Sequence, residues 1–166
     1  MDHASAEKKA SGMALNIASH YPDKPDLLLA MADLAVEELT HYREVIRLLT
    51  RRGLAPEADR KDAYVGAMNQ LIRRGSELFL LDRLLVAAVV ECRGHERFSL
   101  IAQVLPEGAE RRFYQAIAAS ENRHWQLFVD LANRYFKGSI VAARLVDLCD
   151  QEGHIMTRLP LRAALH

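Results

Sequence analysis

The sequence predicts an all-α protein: two long helical hairpins joined by a crossover, with one more helix at the C-terminal end. Three observations carry this. Half of the 166 residues are apolar, glycine and proline are few (8 and 5), and Gly53, Gly108, Gly138 and the prolines stand at breakpoints between helical stretches. Between those breakpoints apolar residues recur at steps of three and four, the period of a helix with one buried face. And one arrangement of acids and histidines occurs twice. Glu7 is followed 31 positions later by Glu38-Leu39-Thr40-His41, and Glu91 is followed 30 positions later by Glu121-Asn122-Arg123-His124.

The elements follow in order. A first helix is expected from about Asp2 to His20, stopping before Tyr21-Pro22-Asp23-Lys24-Pro25. Asp26 is expected to cap a second helix that continues to about Arg52 and is ended by Gly53. Leu54 to Glu77 is the longest linker; it holds Pro56, many charges and a short helix around Ala63 to Arg73. The next long helix runs from about Leu78 to Val104. Its apolar run, Leu78 to Val90, is interrupted by Asp82 and Arg83 and is too short to span a bilayer, so it reads as a buried helix. Pro106-Glu107-Gly108 turns the chain into a helix over about Ala109 to Phe136, and Lys137-Gly138-Ser139 turns it into a last one over about Ile140 to Arg158. Short turns inside each pair and a long link between the pairs describe the ferritin-like topology: a four-helix bundle plus a C-terminal fifth helix, expected as a single domain over 1–166.

Composition narrows the function classes. Formal charge is zero, with 22 basic and 22 acidic residues, so no global field draws the chain to nucleic acid or a membrane surface. Cys92 and Cys149 form neither a CxxC nor a disulfide framework, which fits a reducing cytoplasm. No basic segment followed by an apolar stretch opens the chain, so no signal peptide is expected.

The doubled pattern lies on the faces that should be buried. On the second helix, steps of three and four join Leu27, Met31, Leu34, Glu38, His41, Val45 and Leu48. On the helix after Gly108 they join Tyr114, Ile117, Glu121, His124, Phe128 and Leu131. Glu91 sits centrally among Leu84, Ala87, Phe98 and Ile101, and Glu7 shares a face with Ala14, Ile17 and Tyr21. A buried carboxylate costs on the order of several kcal/mol unless it is paired or protonated. Two divalent cations would balance four carboxylates, with each histidine neutral and donating one ring nitrogen. Residues at i and i+3 project from one side of a helix, so Glu and His can reach one ion together. Glu7, Glu38, His41, Glu91, Glu121 and His124 are therefore the predicted ligands of a two-metal site. An oxygen-rich donor set with one imidazole per ion and no thiolate suits iron or manganese better than zinc or copper; iron is expected, with manganese as the alternative, because the pattern recurs in oxygen-activating di-iron proteins. A single Glu-x-x-His on a helix surface means nothing; two in apolar seams, each with a lone Glu at a matched separation, form a pattern.

At these positions the chain resembles a known family. Asp2-His3-Ala4-Ser5-Ala6-Glu7-Lys8-Lys9-Ala10, Glu37-Glu38-Leu39-Thr40-His41-Tyr42, Asp82-Arg83-Leu84-Leu85-Val86-Ala87-Ala88, Glu91-Cys92-Arg93 with Glu96-Arg97-Phe98, and Ser120-Glu121-Asn122-Arg123-His124 are similar to segments of the MiaE family. These are tRNA 2-methylthio-N6-isopentenyladenosine hydroxylases. The resemblance implies a ferritin-like, non-haem di-iron monooxygenase. It would hydroxylate the isopentenyl group of the hypermodified adenosine beside the tRNA anticodon, using O2. The family's iron ligands carry over onto the same six residues. Only Met1 precedes the Asp2-His3 segment, so the first helix is expected to be short on one side of Glu7. His95 stands where a smaller residue is expected. Four positions after Glu91, it is a candidate to approach the metals, although such a histidine is more often a satisfied residue at the rim.

No side chain beyond the ligands is needed as a catalyst, and no flavin or iron–sulfur motif appears, so electrons must come from an external donor. Phe98, Phe128, Leu84 and Ile117 lie along the seams and could line an apolar channel, but are more simply core. For RNA, Arg43, Arg47 and Arg51 recur every fourth residue on the second helix, and Arg52, Arg60, Lys61, Arg73 and Arg74 follow. The plainer reading of that stripe is a solvated face beside Glu44 and Glu57. Trp125 and Tyr42, each one residue after a ligand histidine, are candidate stacking residues. Three other readings compete. One is a ferritin-like oxidase or peroxidase of the rubrerythrin or manganese-catalase kind, without the CxxC ribbon. The others are an iron-storage ferroxidase and a metal-free binding module.

Overall fold

A computed structural model of the chain describes residues 2–59, 61–75 and 77–160. Among the described residues six helices are formed: α1 (Asp2–His20), α2 (Pro25–Arg51), α3 (Ala63–Gln70), α4 (Phe79–Val104), α5 (Ala109–Tyr135) and α6 (Gly138–Arg158). No strand occurs among the described residues. The chain divides into two compact units, one carrying α1 and α2 and the other α3 to α6.

In the first unit α1 and α2 form an antiparallel hairpin around Ala14, Ile17, Leu27, Met31 and Leu34, all buried. Ser11 fastens the middle of the pair by donating to the carbonyl oxygen of Ala35 at 3.0 Å. α2 starts two residues earlier than the sequence reading, because Pro25 takes the first helical position, where its missing N–H and fixed φ cost nothing. Asp26 is therefore not the cap. Lys24 holds that position, and Asp26 lies in the first turn, where its charge favours the helix dipole. At the other end Gly53 adopts φ 69°, the left-handed conformation that stops a helix, as expected. After it, Asp59 returns to α1, accepting from Ser5 at 2.9 Å and pairing with Lys8.

In the second unit α4 and α5 form the corresponding hairpin, and α3 and α6 pack beside it. The run from Leu80 to Val89 is buried at every position but Arg83, which is why it lacks a polar face. Asp82, 0% exposed inside that run, accepts from the backbone N–H and guanidinium of Arg73 and from Arg144 on α6. Farther along, Arg93 donates to both carboxylate oxygens of the buried Glu152, at 2.8 and 2.7 Å. The pairings of 82 with 144, 93 with 152 and 97 with 156 rise together, so α6 runs parallel to α4. α3 is shorter than expected. Asp62 caps it, its side chain accepting from the N–H of Val65. No described helix is long and apolar enough to cross a membrane.

Candidate metal centre

The helical period places Glu38 and His41 one turn apart on the inner face of α2, and Glu7 opposite them on α1. Glu7 and Glu38 are buried, 3% and 1% exposed. The His41 ring turns Nδ1 toward both carboxylates, 3.6 Å from Glu7 Oε2 and 3.5 Å from Glu38 Oε2. Its Nε2 faces outward toward Glu37 at 3.9 Å, an ion-pair separation rather than a hydrogen bond. One donor atom from each of Glu7, Glu38 and His41 lies within 4.8 Å of the others.

The second unit repeats the arrangement. Glu91 on α4 and Glu121 and His124 on α5 are all buried, and again one donor atom from each lies within 4.8 Å of the rest. His124 Nδ1 is 3.9 Å from Glu91 Oε2, while its Nε2 faces the Ser120 hydroxyl at 3.3 Å. Ser120 in turn accepts from Arg123. In the second unit an imidazole proton directed from Nε2 to Ser120 leaves the Nδ1 lone pair of His124 for a cation. Gly94 makes room for Glu121: a Cβ there would stand 3.4 Å from its Oε2.

Electrostatics in the first unit are strongly coupled. Burial alone would raise the Glu7 carboxyl, but side-chain hydrogen bonds with His3, His41 and Glu38 bring it down to about 2, from an ordinary 4.5. Burial would likewise depress His41, but Glu38 and Glu7 hold its proton and raise it to about 10. Without metal, the half-site is thus an imidazolium among carboxylates; a cation would replace that proton. Buried oxygen donors, one imidazole in each trio, no thiolate and a glycine clearing space for a carboxylate fit a hard or borderline metal ion.

Each of the six predicted ligands thus lies in one of two converging trios. His95 donates its Nδ1–H to the Ala118 carbonyl oxygen at 2.7 Å, the satisfied role of the plainer reading. Phe98, Phe128, Leu84 and Ile117 are buried and belong to the core. Trp125 donates to Asn122, and Arg47 pairs with Glu44 on a solvated face of α2. Arg60 lies outside the described residues. The sequence reading missed His3, Glu37, Ser120 and Gly94. His3 is buried, and its Nε2 lies 2.6 Å from Glu7 Oε1. Its signal was the four-residue spacing to Glu7, which puts the two side chains on one face. Glu37 and Ser120 carry the same spacing to the two ligand histidines.

Known proteins resemble this chain. The family model described as tRNA-(MS[2]IO[6]A)-hydroxylase (MiaE) matches residues 1–166. A tRNA 2-(methylsulfanyl)-N(6)-isopentenyladenosine(37) hydroxylase of Pseudomonas putida is 36% identical over 148 residues, 89% of this chain and 71% of that protein. The Salmonella typhimurium enzyme of the same name is 32% identical over 108 residues, 65% of this chain and 40% of its own length. Among solved structures, a Synechococcus protein with aldehyde deformylating oxygenase activity superposes with a TM-score of 0.93. It is 33% identical, over 99% of this chain and 84% of that one, and it bears out the all-α, ferritin-like fold class. A match along the whole chain, together with a relative of this identity and coverage, means that the chain belongs to the MiaE family of tRNA hydroxylases.

Proposed function

We propose that Glu7, Glu38, His41, Glu91, Glu121 and His124 hold two iron ions in one carboxylate-bridged centre, within a single domain spanning residues 1–166. With O2 and an external electron donor, the enzyme hydroxylates the isopentenyl group of 2-methylthio-N6-isopentenyladenosine beside the tRNA anticodon, in the cytoplasm. The observation that carries this reading is the doubled trio in a chain that matches the hydroxylase family from end to end. Charge balance supports two ions, since four carboxylates and two neutral imidazoles offset two divalent cations. Donor type supports iron over manganese only weakly; the oxygenase activity of the Synechococcus relative on the same scaffold adds to it.

The iron pair, when bound, supplies the O2 activation needed to oxidise an unactivated C–H bond. The side chains hold and orient it. Glu38 and His41 approach from one turn of α2, Glu121 and His124 from one turn of α5, and Glu7 and Glu91 from the helices paired with them. The outward hydrogen bond of His124 to Ser120 keeps its Nδ1 available. The oxidase, peroxidase and iron-storage alternatives are not favoured, because the family and both curated relatives are hydroxylases of a tRNA nucleoside. Mass spectrometry of tRNA nucleosides from cells with and without the protein tests the reading. The hydroxylated nucleoside should appear only with the protein; identical profiles would refute the assignment.

A further inference from the structure

The two trios differ one helical turn before their lone glutamates. Before Glu7 stands His3, 5% exposed, with Nε2 2.6 Å from Glu7 Oε1. Before Glu91 stands Ala87, whose side chain has no donor to offer. The two oxygens of Glu7 therefore face different partners. Oε1 meets His3, and Oε2 lies on the side of His41 Nδ1, at 3.6 Å. A carboxylate accepts, so Nε2–H of His3 is the donor. Swinging Oε1 toward a cation would break a short, buried, charge-assisted hydrogen bond and leave the donor unsatisfied.

We propose that His3 is a positioning residue: by holding Oε1 of Glu7 it leaves Oε2 as that carboxylate's single metal-binding oxygen. Glu7 is then a fixed, monodentate ligand. The inference rests on the two-metal reading and concerns one residue outside the six ligands.

The test compares H3Q with H3N in the full-length metal-free protein. Glutamine presents its amide nitrogen where Nε2 stands; asparagine is too short to reach. Both are polar and small enough for the site, so a helix content and melting curve close to wild type are expected of each. Anaerobic Co(II) titration is followed by bound metal and by the visible spectrum, which reports coordination number. Wild type should take up two ions, and H3Q should bind both with nearly wild-type affinity. H3N should bind one of the two about tenfold or more weakly, with a changed spectrum for that ion. Wild-type binding of both ions by H3N would overturn the role of His3, and so would an equal loss in H3Q and H3N, which would reduce it to packing. If wild type itself takes up no metal, the two-metal reading fails and the inference with it.

Discussion

The α1–α2 hairpin and the α4–α5 hairpin carry the same three proposed ligands, a lone Glu and a Glu-x-x-His, yet they hold them by different means. The first keeps its polar support beside the ligands. His3 grips Glu7, Glu37 faces the outer nitrogen of His41, and a hydroxyl-to-carbonyl bond joins the two helices. The second keeps its support at a distance. α6 lies along α4, with Asp82 taking Arg73 and Arg144 at one end and Glu152 taking Arg93 at the other. Its ligand histidine turns its outer nitrogen to the neutral Ser120 hydroxyl. The difference teaches that one ligand pattern can be fixed either by charge close to the donors or by an additional packed layer. The two routes should respond differently to metal, pH and mutation.

The largest effects should be the same in both hairpins. Glu38→Ala in the first and His124→Ala in the second should each abolish hydroxylation and lower metal content, since both ions share one centre in the proposed function. Full activity in either variant, measured on modified tRNA, would break the symmetry on which the two-metal reading stands.

Next comes an effect confined to the second unit. Asp82→Ala strips a fully buried carboxylate from two arginines and leaves Arg144, 12% exposed, without it. The expected loss is about 3 kcal/mol, at the low end for a broken buried pair because Arg73 is partly solvated. Hydrogen exchange should speed up in α4 and α6 and not in α1 and α2. A loss below about 1 kcal/mol, the range of exposed pairs, would show that the arginine layer contributes little.

A smaller effect belongs to the first unit. In the metal-free protein Glu7 titrates at about 2 against an ordinary 4.5. Its contribution is therefore complete above 4.5 and is lost as pH falls through 2. His41 titrates at about 10 against 6.5, so its contribution is complete below 6.5 and is lost as pH rises through 10. The α1–α2 hairpin should thus be most protected from exchange between these limits, near pH 4.5 to 6.5. Metal must displace the His41 proton, so metal affinity should climb with pH through this window and level off near pH 10. Flat protection from pH 4 to 10 would contradict the coupling.

The smallest effect concerns RNA. Arg43, Arg47 and Arg51 are exposed on α2, and the first two lie near Glu44, at 3.8 and 2.6 Å. Replacing all three with serine should weaken tRNA binding and flatten its salt dependence by about 0.7–0.9 for each phosphate that is no longer neutralised. An unchanged slope would remove the stripe from the RNA-binding surface.

Much of this was legible in the sequence, for local reasons. A period of three and four fixes which side of a helix is buried, and it alone puts Glu38, Glu91, Glu121 and His124 on buried faces. Glycine at position 53 announces its helix end because few other residues adopt a left-handed turn. What stayed hidden depends on distant partners. Asp82 reads only as an interruption of an apolar run, because its arginines lie nine positions before it and 62 after it. Gly94 looks neutral because the carboxylate it accommodates is on another helix. The misplaced cap at Asp26 has a local cause: Pro25 is itself a favoured first helical residue and moves the start upstream.

The central claim is that six side chains from two hairpins share one pair of ions. Mössbauer spectroscopy of the oxidised, iron-loaded protein tests it most directly. The account predicts two irons per chain in a spin-coupled pair with a diamagnetic ground state. Two magnetically isolated ferric ions, or a single bound iron, would contradict it.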